Sequence, residues 1–236
     1  MRVLALDTAT EACSVALLTD AGLVGAFKEV GRGHAEQILD MVDAVLSEAG
    51  IALGMLDGIA ASVGPGAFTG VRIGVSVAQG LAFGAALPVV PVTTLEALGW
   101  QAMRGGAEQV MACLDARMGE VYWGCFATHP KRGLVARGAP AVGDAQSVKV
   151  PLVGPFQGIG RGFAAYPVLH ALAGLALPAG ACDALPDAKD MARLGAIRLS
   201  MGEGRDPADL IPVYLRDKVA LTEVERAAVA KLAAPE

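Results

Sequence analysis

Residues 3–7 read Val3-Leu4-Ala5-Leu6-Asp7, and after a polar turn the chain resumes as Ser14-Val15-Ala16-Leu17-Leu18. About a hundred residues later, 110–115 is again an apolar run that ends in aspartate, and 121–126 again follows a polar turn. Apolar runs of this length, separated by polar turns, predict paired strands. Two similar strand-turn-strand units at this distance predict an α/β chain built from a duplicated domain.

The predicted boundary between the two units lies near Arg104, which gives a first unit of residues 1–105 and a second of 106–236. Pattern and spacing predict further elements in both units. In the first unit these are strands at 23–29, 56–63 and 89–92. Each strand is followed by a helix, at 38–49, 70–86 and 94–103 respectively. In the second unit they are a strand at 148–153, a glycine-rich loop at 154–162, and helices at 188–202 and 222–234.

The composition is that of a folded protein, with 54% hydrophobic and 18% charged residues. This lies far from the low hydrophobicity and high charge of disordered chains. Nineteen basic against 24 acidic residues give a formal net charge of -5, which argues against broad binding of polyanions by the chain alone. We therefore expect any contact with RNA to depend on a partner.

Cysteine spacing and hydropathy exclude several other classes. The four cysteines form no CxxC motif, which favours free core thiols over a zinc site or a disulfide scaffold. The uncharged run 73–95 is long enough for a bilayer, but Pro88 and Pro91 interrupt it, so we expect no membrane span. No secretory signal pattern is visible, and the expected location is the cytoplasm.

Asp7 is the first candidate for chemistry, because it lies where a strand turns back on itself. Actin-like phosphotransferases place a carboxylate at this position to organise metal-bound water near a nucleotide phosphate. Asp7, Thr8 and Thr10 are therefore candidate nucleotide-binding residues, although this turn lacks the glycine that usually admits a phosphate. The alternative is that Asp7 only caps its own turn.

The most distinctive segment is the glycine- and proline-rich loop 62–72. It predicts a sharp turn from a strand into a helix, and it is not a Walker A loop because no lysine follows its glycines. A bulky Phe68 and a cationic Arg72 flank the glycines, which indicates a contact site. In the helix that follows, Gly70, Gly74, Ala78, Ala82 and Ala86 form a smooth stripe for close packing, either inside the domain or against another chain.

Other candidate sites carry weaker signals. His34 opens the first helix, but no second histidine stands at metal-ligand spacing, so we expect no metal site. The run 158–162 has three alternating glycines without the Rossmann spacing, and a surface loop is the favoured interpretation.

Several of these motifs together resemble one family. They are the opening 4–16, His34-Ala35-Glu36, the loop 64–72 with 78–82, and 212–216. This pattern resembles the TsaB (YeaZ) family of non-catalytic partner subunits in bacterial synthesis of threonylcarbamoyladenosine on tRNA. The resemblance implies duplicated actin-like (ASKHA, ribonuclease H-like) domains with mixed sheets flanked by helices.

The resemblance also implies a set of partners. The family pairs with its catalytic paralogue, the TsaD transferase, through the helices of the first domain, here 35–49 and 70–86. It further implies the TsaE ATPase as a third partner, ANN-decoding tRNA reached through the complex, a homodimer when the paralogue is absent, and no intrinsic cofactor beyond an ATP or ADP shared with TsaD. The implied interface residues are His34, Ile38, Met41, Val45, Phe68, Gly70, Arg72, Gly74 and Ala78.

Three functions stay open at this point. The first is a partner subunit without catalytic residues, which agrees with the absence of histidine from 92–101, where the paralogue carries a metal-binding pair. The second is an actin-like small-molecule kinase that uses Asp7 and Asp115. The third is a homodimeric binding module that uses the small-residue stripe on its own copy.

Overall fold

The computed structural model describes residues 1–216, which form two sheets and five helices. The first sheet has the order β3-β2-β1-β4-β5, in which β1 is antiparallel to β2 and parallel to β4. Its strands are β1 Val3–Asp7, β2 Ala12–Thr19, β3 Gly22–Glu29, β4 Gly58–Ser62 and β5 Val89–Val92. The helices of this region are α1 His34–Ala49, α2 Phe68–Ala85 and α3 Thr94–Arg104.

The second sheet repeats the topology of the first. Its strands are β6 Gln109–Arg117, β7 Glu120–His129, β8 Gly133–Ala136, β9 Ala141–Asp144, β10 Phe156–Ile159 and β11 Leu175–Ala176, accompanied by helices α4 Gly162–Ala165 and α5 Ala188–Ser200. The main path runs β8-β7-β6-β10-β11, with β6 antiparallel to β7 and parallel to β10. The predicted duplication, and with it the predicted actin-like fold class, is confirmed.

The side chains of β1 alternate between the two faces of the first sheet, and helices pack on both faces. Leu4 and Leu6 point to one face of the sheet, into a core that they share with α1 and α2. Val3 and Ala5 point to the other face, into a core that contains α3, α5 and side chains of the second sheet. Because side chains of a strand alternate between faces, β1 is covered on both sides, and this accounts for its continuous apolar run.

Helix α5 comes from the second half of the sequence but packs on the first sheet. Gly195 permits this approach, since a Cβ atom there would lie 2.7 Å from the Cβ of Ala60 in β4. Asp190 of α5 is buried and pairs with Arg104 of α3 at 2.6 Å. The sequence-based division at 105/106 assigned this helix to the second unit, whereas its packing joins it to the first.

Most elements of the first unit are confirmed within a few residues at their ends, but two predictions for the second unit are wrong. Residues 148–153 form no strand. Val148, Val150 and Leu152 instead alternate inward as an unpaired extended segment against a third core, which lies in the second unit and includes Met111, Cys125 and Phe156. The predicted loop 154–162 contains β10, where Gly158 is required because a Cβ would lie 2.7 Å from the Phe163 ring.

Two further predictions concern helices. The predicted helix 222–234 lies outside the described residues. Within 1–216, none of the helices combines the length and the apolar character that a bilayer crossing requires.

Candidate functional site

The β1–β2 turn places Asp7 inside the protein. The side chain is fully buried, its Oδ1 accepts a hydrogen bond from the Ala9 N–H at 2.9 Å, and its Oδ2 has no hydrogen-bond partner among residues 1–216. Burial raises the pKa of the Asp7 carboxyl from 3.8 to about 6, although the bond from Ala9 acts in the opposite direction. Of the three nucleotide-binding candidates, Asp7 and Thr8 are enclosed, and only Thr10 lines open space.

The start of α2 covers this turn. Thr8 donates its hydroxyl hydrogen bond to the Gly70 carbonyl at 2.7 Å, and the Ala67 N–H donates to the Ala9 carbonyl at 2.7 Å. A Cβ atom on Gly66, Gly70 or Gly74 would approach the turn more closely than 3.0 Å. These glycines therefore let the backbone of α2 lie directly against the turn that carries Asp7.

This packing corrects the predicted interface. Gly70, Gly74 and Ala78 are buried against the chain's own core, so they are not available to a partner. Gly70, Gly74, Ala78 and Ala82 of the small-residue stripe lie on the inner face of α2, whereas Ala86 follows the helix and is exposed, so the buried part of the stripe is not accessible to a second copy of the chain.

The predicted interface residues of α1 are corrected in the same way. Ile38, Met41 and Val45 belong to the core between α1 and the first sheet. His34 is also buried and donates from Nε2 to the Thr10 carbonyl at 2.9 Å, which ties the start of α1 to the β1–β2 turn. Helical periodicity identified the buried stripe correctly, but this stripe faces the chain's own sheet.

An exposed surface lies on the opposite side of the same two helices. Leu39 of α1 is 52% exposed, and Phe68 and Phe83 of α2 are 52% and 59% exposed. Gly80 and Gly84 share this side, and a Cβ atom at either would meet no atom of the described residues within 4 Å. We call this surface the outer face; it consists of Ala35, Leu39, Phe68, Thr69, Arg72, Ser76, Gly80, Phe83 and Gly84.

The outer face has a shallow depression and a distinct charge pattern. The depression has a volume of about 450 Å³ and lies at the start of the helices, between Ala35 and Val77. Helix α1 carries four exposed acidic residues and no basic one, whereas Arg72 is the single charged residue of α2. Sequence analysis found Phe68 and Arg72 but missed Leu39 and Phe83, whose signal is an apolar side chain on the polar side of an amphipathic helix.

A larger cleft of about 920 Å³ lies between the two units. The β1–β2 turn, the start of α1 and the loop before α2 form one wall, and the β6–β7 turn, Arg161 and residues 213–216 contribute to the rest. This is the location at which the duplicated fold brings its two aspartate turns together.

Asp115 of the β6–β7 turn is bound by two neighbouring residues of the second unit, Arg117 and Tyr166. Its Oδ1 accepts hydrogen bonds from the Arg117 N–H at 2.7 Å and from the Tyr166 hydroxyl at 3.0 Å, and its Oδ2 lies 3.0 Å from Nη1 of Arg117. The carboxylate is therefore already neutralised by an arginine of the same turn.

Ion pairs also cross the cleft. Arg161 binds Glu29 at 2.7 Å and lies 3.9 Å from Glu11, which in turn lies 3.5 Å from Arg117. The hydrogen bond from Arg161 lowers the pKa of the exposed Glu29. Arg117 and Arg161, which face the cleft from the second unit, are thus each close to a carboxylate of the first.

The glycine run 158–162 is a structural turn. A Cβ atom on Gly160 or Gly162 would clash with Cys113 of β6, so these glycines allow the chain to cross the end of that strand. The helix that follows, α4, has only four residues. Among residues 1–216, no group of three or more His, Cys, Asp or Glu side chains is arranged to hold a metal ion.

Comparison with known proteins gives two kinds of match. Residues 28–134 match the family TsaD, tRNA N6-adenosine threonylcarbamoyltransferase. The tRNA threonylcarbamoyladenosine biosynthesis protein TsaB of Escherichia coli (strain K12) is 41% identical over 224 residues, which cover 93% of this chain and 96% of that protein. The protein of the same name from Haemophilus influenzae is 48% identical over 124 residues, 52% of each chain.

A solved structure matches most of the chain. The structure described as YeaZ from Pseudomonas aeruginosa superposes with a TM-score of 0.84 at 42% sequence identity, and the match covers 91% of this chain and 99% of that one.

Proposed function

Because this chain belongs to the TsaB (YeaZ) family and takes part in tRNA threonylcarbamoyladenosine biosynthesis, we propose that it is the non-catalytic subunit that binds and activates the TsaD transferase. One observation carries the proposal. The first unit exposes large apolar side chains on the outer face of α1 and α2, while both aspartates of the ancestral nucleotide cleft are withdrawn from use.

The state of the two aspartates supports the non-catalytic role. A kinase of this fold needs carboxylates that reach metal-bound water in the cleft. Asp7 is sealed beneath the start of α2, and Asp115 is bound by Arg117 and Tyr166. These positions do not fit a magnesium nucleotide held by this chain alone. An ATP or ADP at the subunit interface would accordingly be held mainly by TsaD.

The outer face has the physical properties of a helix-packing interface. Aromatic and aliphatic side chains that are half exposed in the free chain gain most when a partner removes them from water. Glycine costs about 1 kcal/mol relative to alanine in a helix, yet Gly80 and Gly84 stand on this side with open space above them. Close approach of a helix from another protein explains their presence.

The position of the outer face suggests how this chain would activate TsaD. The starts of α1 and α2 contribute both to the outer face and to the cleft. A TsaD subunit bound there would have its own position fixed by a rigid, two-sheet support. In the assembly we propose, ANN-decoding tRNA is contacted mainly by TsaD, TsaE joins as a third component, and the free chain pairs with its own copy through the outer face.

Mixing the purified chain with TsaD tests this function by light scattering after size exclusion. We expect a complex of the two chains, and we expect Phe83→Glu to prevent its formation because a charge would be buried at the interface. Phe27→Glu is the matched control, since Phe27 is 43% exposed but lies on β3. Failure of the wild-type chain to bind TsaD, or loss of binding with Phe27→Glu alone, would contradict the proposal.

A further inference from the structure

Three side chains at the start of the outer face form an aromatic and cationic cluster. The guanidinium carbon of Arg72 lies 3.6 Å from the centre of the Phe68 ring and 5.7 Å from that of Tyr214. The Nε–H of Arg72 donates to the Tyr214 hydroxyl at 2.8 Å, and the two rings are 5.8 Å apart. The hydrogen bond of Arg72 uses Nε, and within residues 1–216 its two terminal nitrogens, which also carry donor hydrogens, form no hydrogen bond.

Arg72 differs in its charge balance from three of the arginines that line the cleft. Arg117, Arg161 and Arg216 each pair with a carboxylate of the chain itself. Arg72 is exposed and, within residues 1–216, forms no ion pair; its hydrogen bond there is to the neutral hydroxyl of Tyr214. In the described part of the chain, the charge of Arg72 is thus positioned by two aromatic rings and is not compensated by a carboxylate.

The position of Tyr214 is fixed by the segment 207–216, which we call the strap. Leu210 is buried in the core of α1 and α2, and the Val213 N–H donates to the Val63 carbonyl at 2.7 Å. Gln79 of α2 donates to the carbonyls of Pro207 and Leu210, each at 3.1 Å. Arg216 then binds the Ala116 carbonyl and Glu120 of the second unit. The strap holds Tyr214 in place before any partner arrives, which lowers the entropy cost of using Arg72 in binding.

We propose that Arg72 is the charged anchor of the outer face and binds a carboxylate of TsaD, with Tyr214 as its positioning residue. This inference rests on the proposed function. A planar guanidinium matches a carboxylate in two-point geometry, and a cluster of arginine, tyrosine and phenylalanine beside an apolar surface is typical of interface hot spots.

The anchor is assigned to a protein carboxylate and not to an RNA phosphate because of its surroundings. Helix α1, which borders the same depression, carries exposed Glu36, Asp40, Asp43 and Glu48 without a basic residue. These charges, together with the net charge of -5, repel a polyanion. An acidic side chain within an otherwise uncharged or basic protein surface meets no such barrier.

Titration calorimetry of TsaD with variants of this chain tests the anchor. We expect Arg72→Gln to weaken binding by about 10- to 100-fold, because it leaves a carboxylate of TsaD unpaired in the interface. Arg72→Lys keeps the charge but loses the planar guanidinium, so its affinity for TsaD should lie between those of the wild type and Arg72→Gln. Tyr214→Phe should weaken binding less, and should have no further effect when added to Arg72→Gln. Arg137→Gln, an exposed arginine beyond β8, is the matched control and should bind as the wild type does.

The outcomes separate this inference from the function on which it rests. If the wild-type chain does not bind TsaD, the proposed function fails. If the wild type binds and Arg72→Gln binds equally well, only the anchor is refuted. Equal binding to TsaD combined with weaker binding of tRNA by the Arg72→Gln complex would refute the carboxylate and assign Arg72 to the nucleic acid. Thermal unfolding of each variant confirms that the fold is intact.

Discussion

The β1–β2 turn and the β6–β7 turn occupy equivalent positions in two sheets of the same topology, and the aspartate of each accepts a hydrogen bond from the backbone N–H two residues later, yet the two side chains differ in burial and in charge pairing. Asp7 is fully buried with one oxygen unpaired, and the start of α2 lies over it. Asp115 is about one-fifth exposed and accepts hydrogen bonds from Arg117 and Tyr166. Packing of α2 buries the Asp7 carboxylate, whereas the Asp115 carboxylate is paired with an arginine of its own turn.

The difference shows that the two halves of a duplicated fold can each lose an available carboxylate in a different way, one by burial and the other by pairing with an arginine. In the first unit, glycines of α2 bring a helix against the turn, and the same helix then presents its opposite side as a binding surface. In the second unit the Asp115 side chain stays about one-fifth exposed, and Arg117 supplies a compensating charge. The surface that we assign to TsaD is therefore found on the unit whose turn is covered.

The largest expected effect comes from breaking the cover of the first turn. Gly70→Ala should lower the free energy of unfolding by about 3 kcal/mol or more, because the new methyl group meets the Thr8 carbonyl, a backbone atom that cannot turn aside. Gly80→Ala is the control on the same helix and should raise stability by up to about 1 kcal/mol, since its side is open. Urea unfolding of the two variants measures both; equal effects would show that α2 does not seal the turn.

A smaller change in stability, of opposite sign, is expected when the buried Asp7 carboxylate is replaced by an amide. Because the folded state keeps the Asp7 proton up to a pKa of about 6 whereas the ordinary value is 3.8, stability falls as the pH rises through this interval. A shift of about two pH units corresponds to about 3 kcal/mol at most. Asp7→Asn should therefore stabilise the protein by up to this amount at pH 8 and have little effect at pH 4.

Urea unfolding at the two pH values checks this expectation. A loss of stability at pH 8 would mean that the ionised Asp7 is used by the fold or by a ligand.

The smallest effect belongs to the second turn. Asp115→Asn removes the ion pair with Arg117 but leaves an oxygen for Tyr166, so it should destabilise the protein by about 1 kcal/mol or less. The loss should shrink when salt is added, because the pair is partly exposed. Thermal unfolding at low and high salt measures it; a stabilisation like that of Asp7→Asn would erase the contrast between the turns.

The sequence predicted the elements of the first unit well, since alternation in β1 and the helical period of α1 report burial directly. Periodicity does not report what a buried stripe is buried against, so it gives no means of correcting the implied placement of Ile38, Gly70 and Gly74 at a partner interface. Gly74 and Gly80 look alike in the sequence, but one meets Thr8 and the other meets open space. The position of α5 on the first sheet depends on long-range packing that no local pattern contains.

The most direct test of the central claim is the rate of threonylcarbamoyl transfer to tRNA by TsaD in the presence of this chain. Our account predicts that a chain carrying both Asp7→Asn and Asp115→Asn supports the same rate as the wild type, and that Phe83→Glu does not support it. Loss of the rate with the double aspartate variant, together with full activity of Phe83→Glu, would show that the chain works through its cleft and would contradict the account.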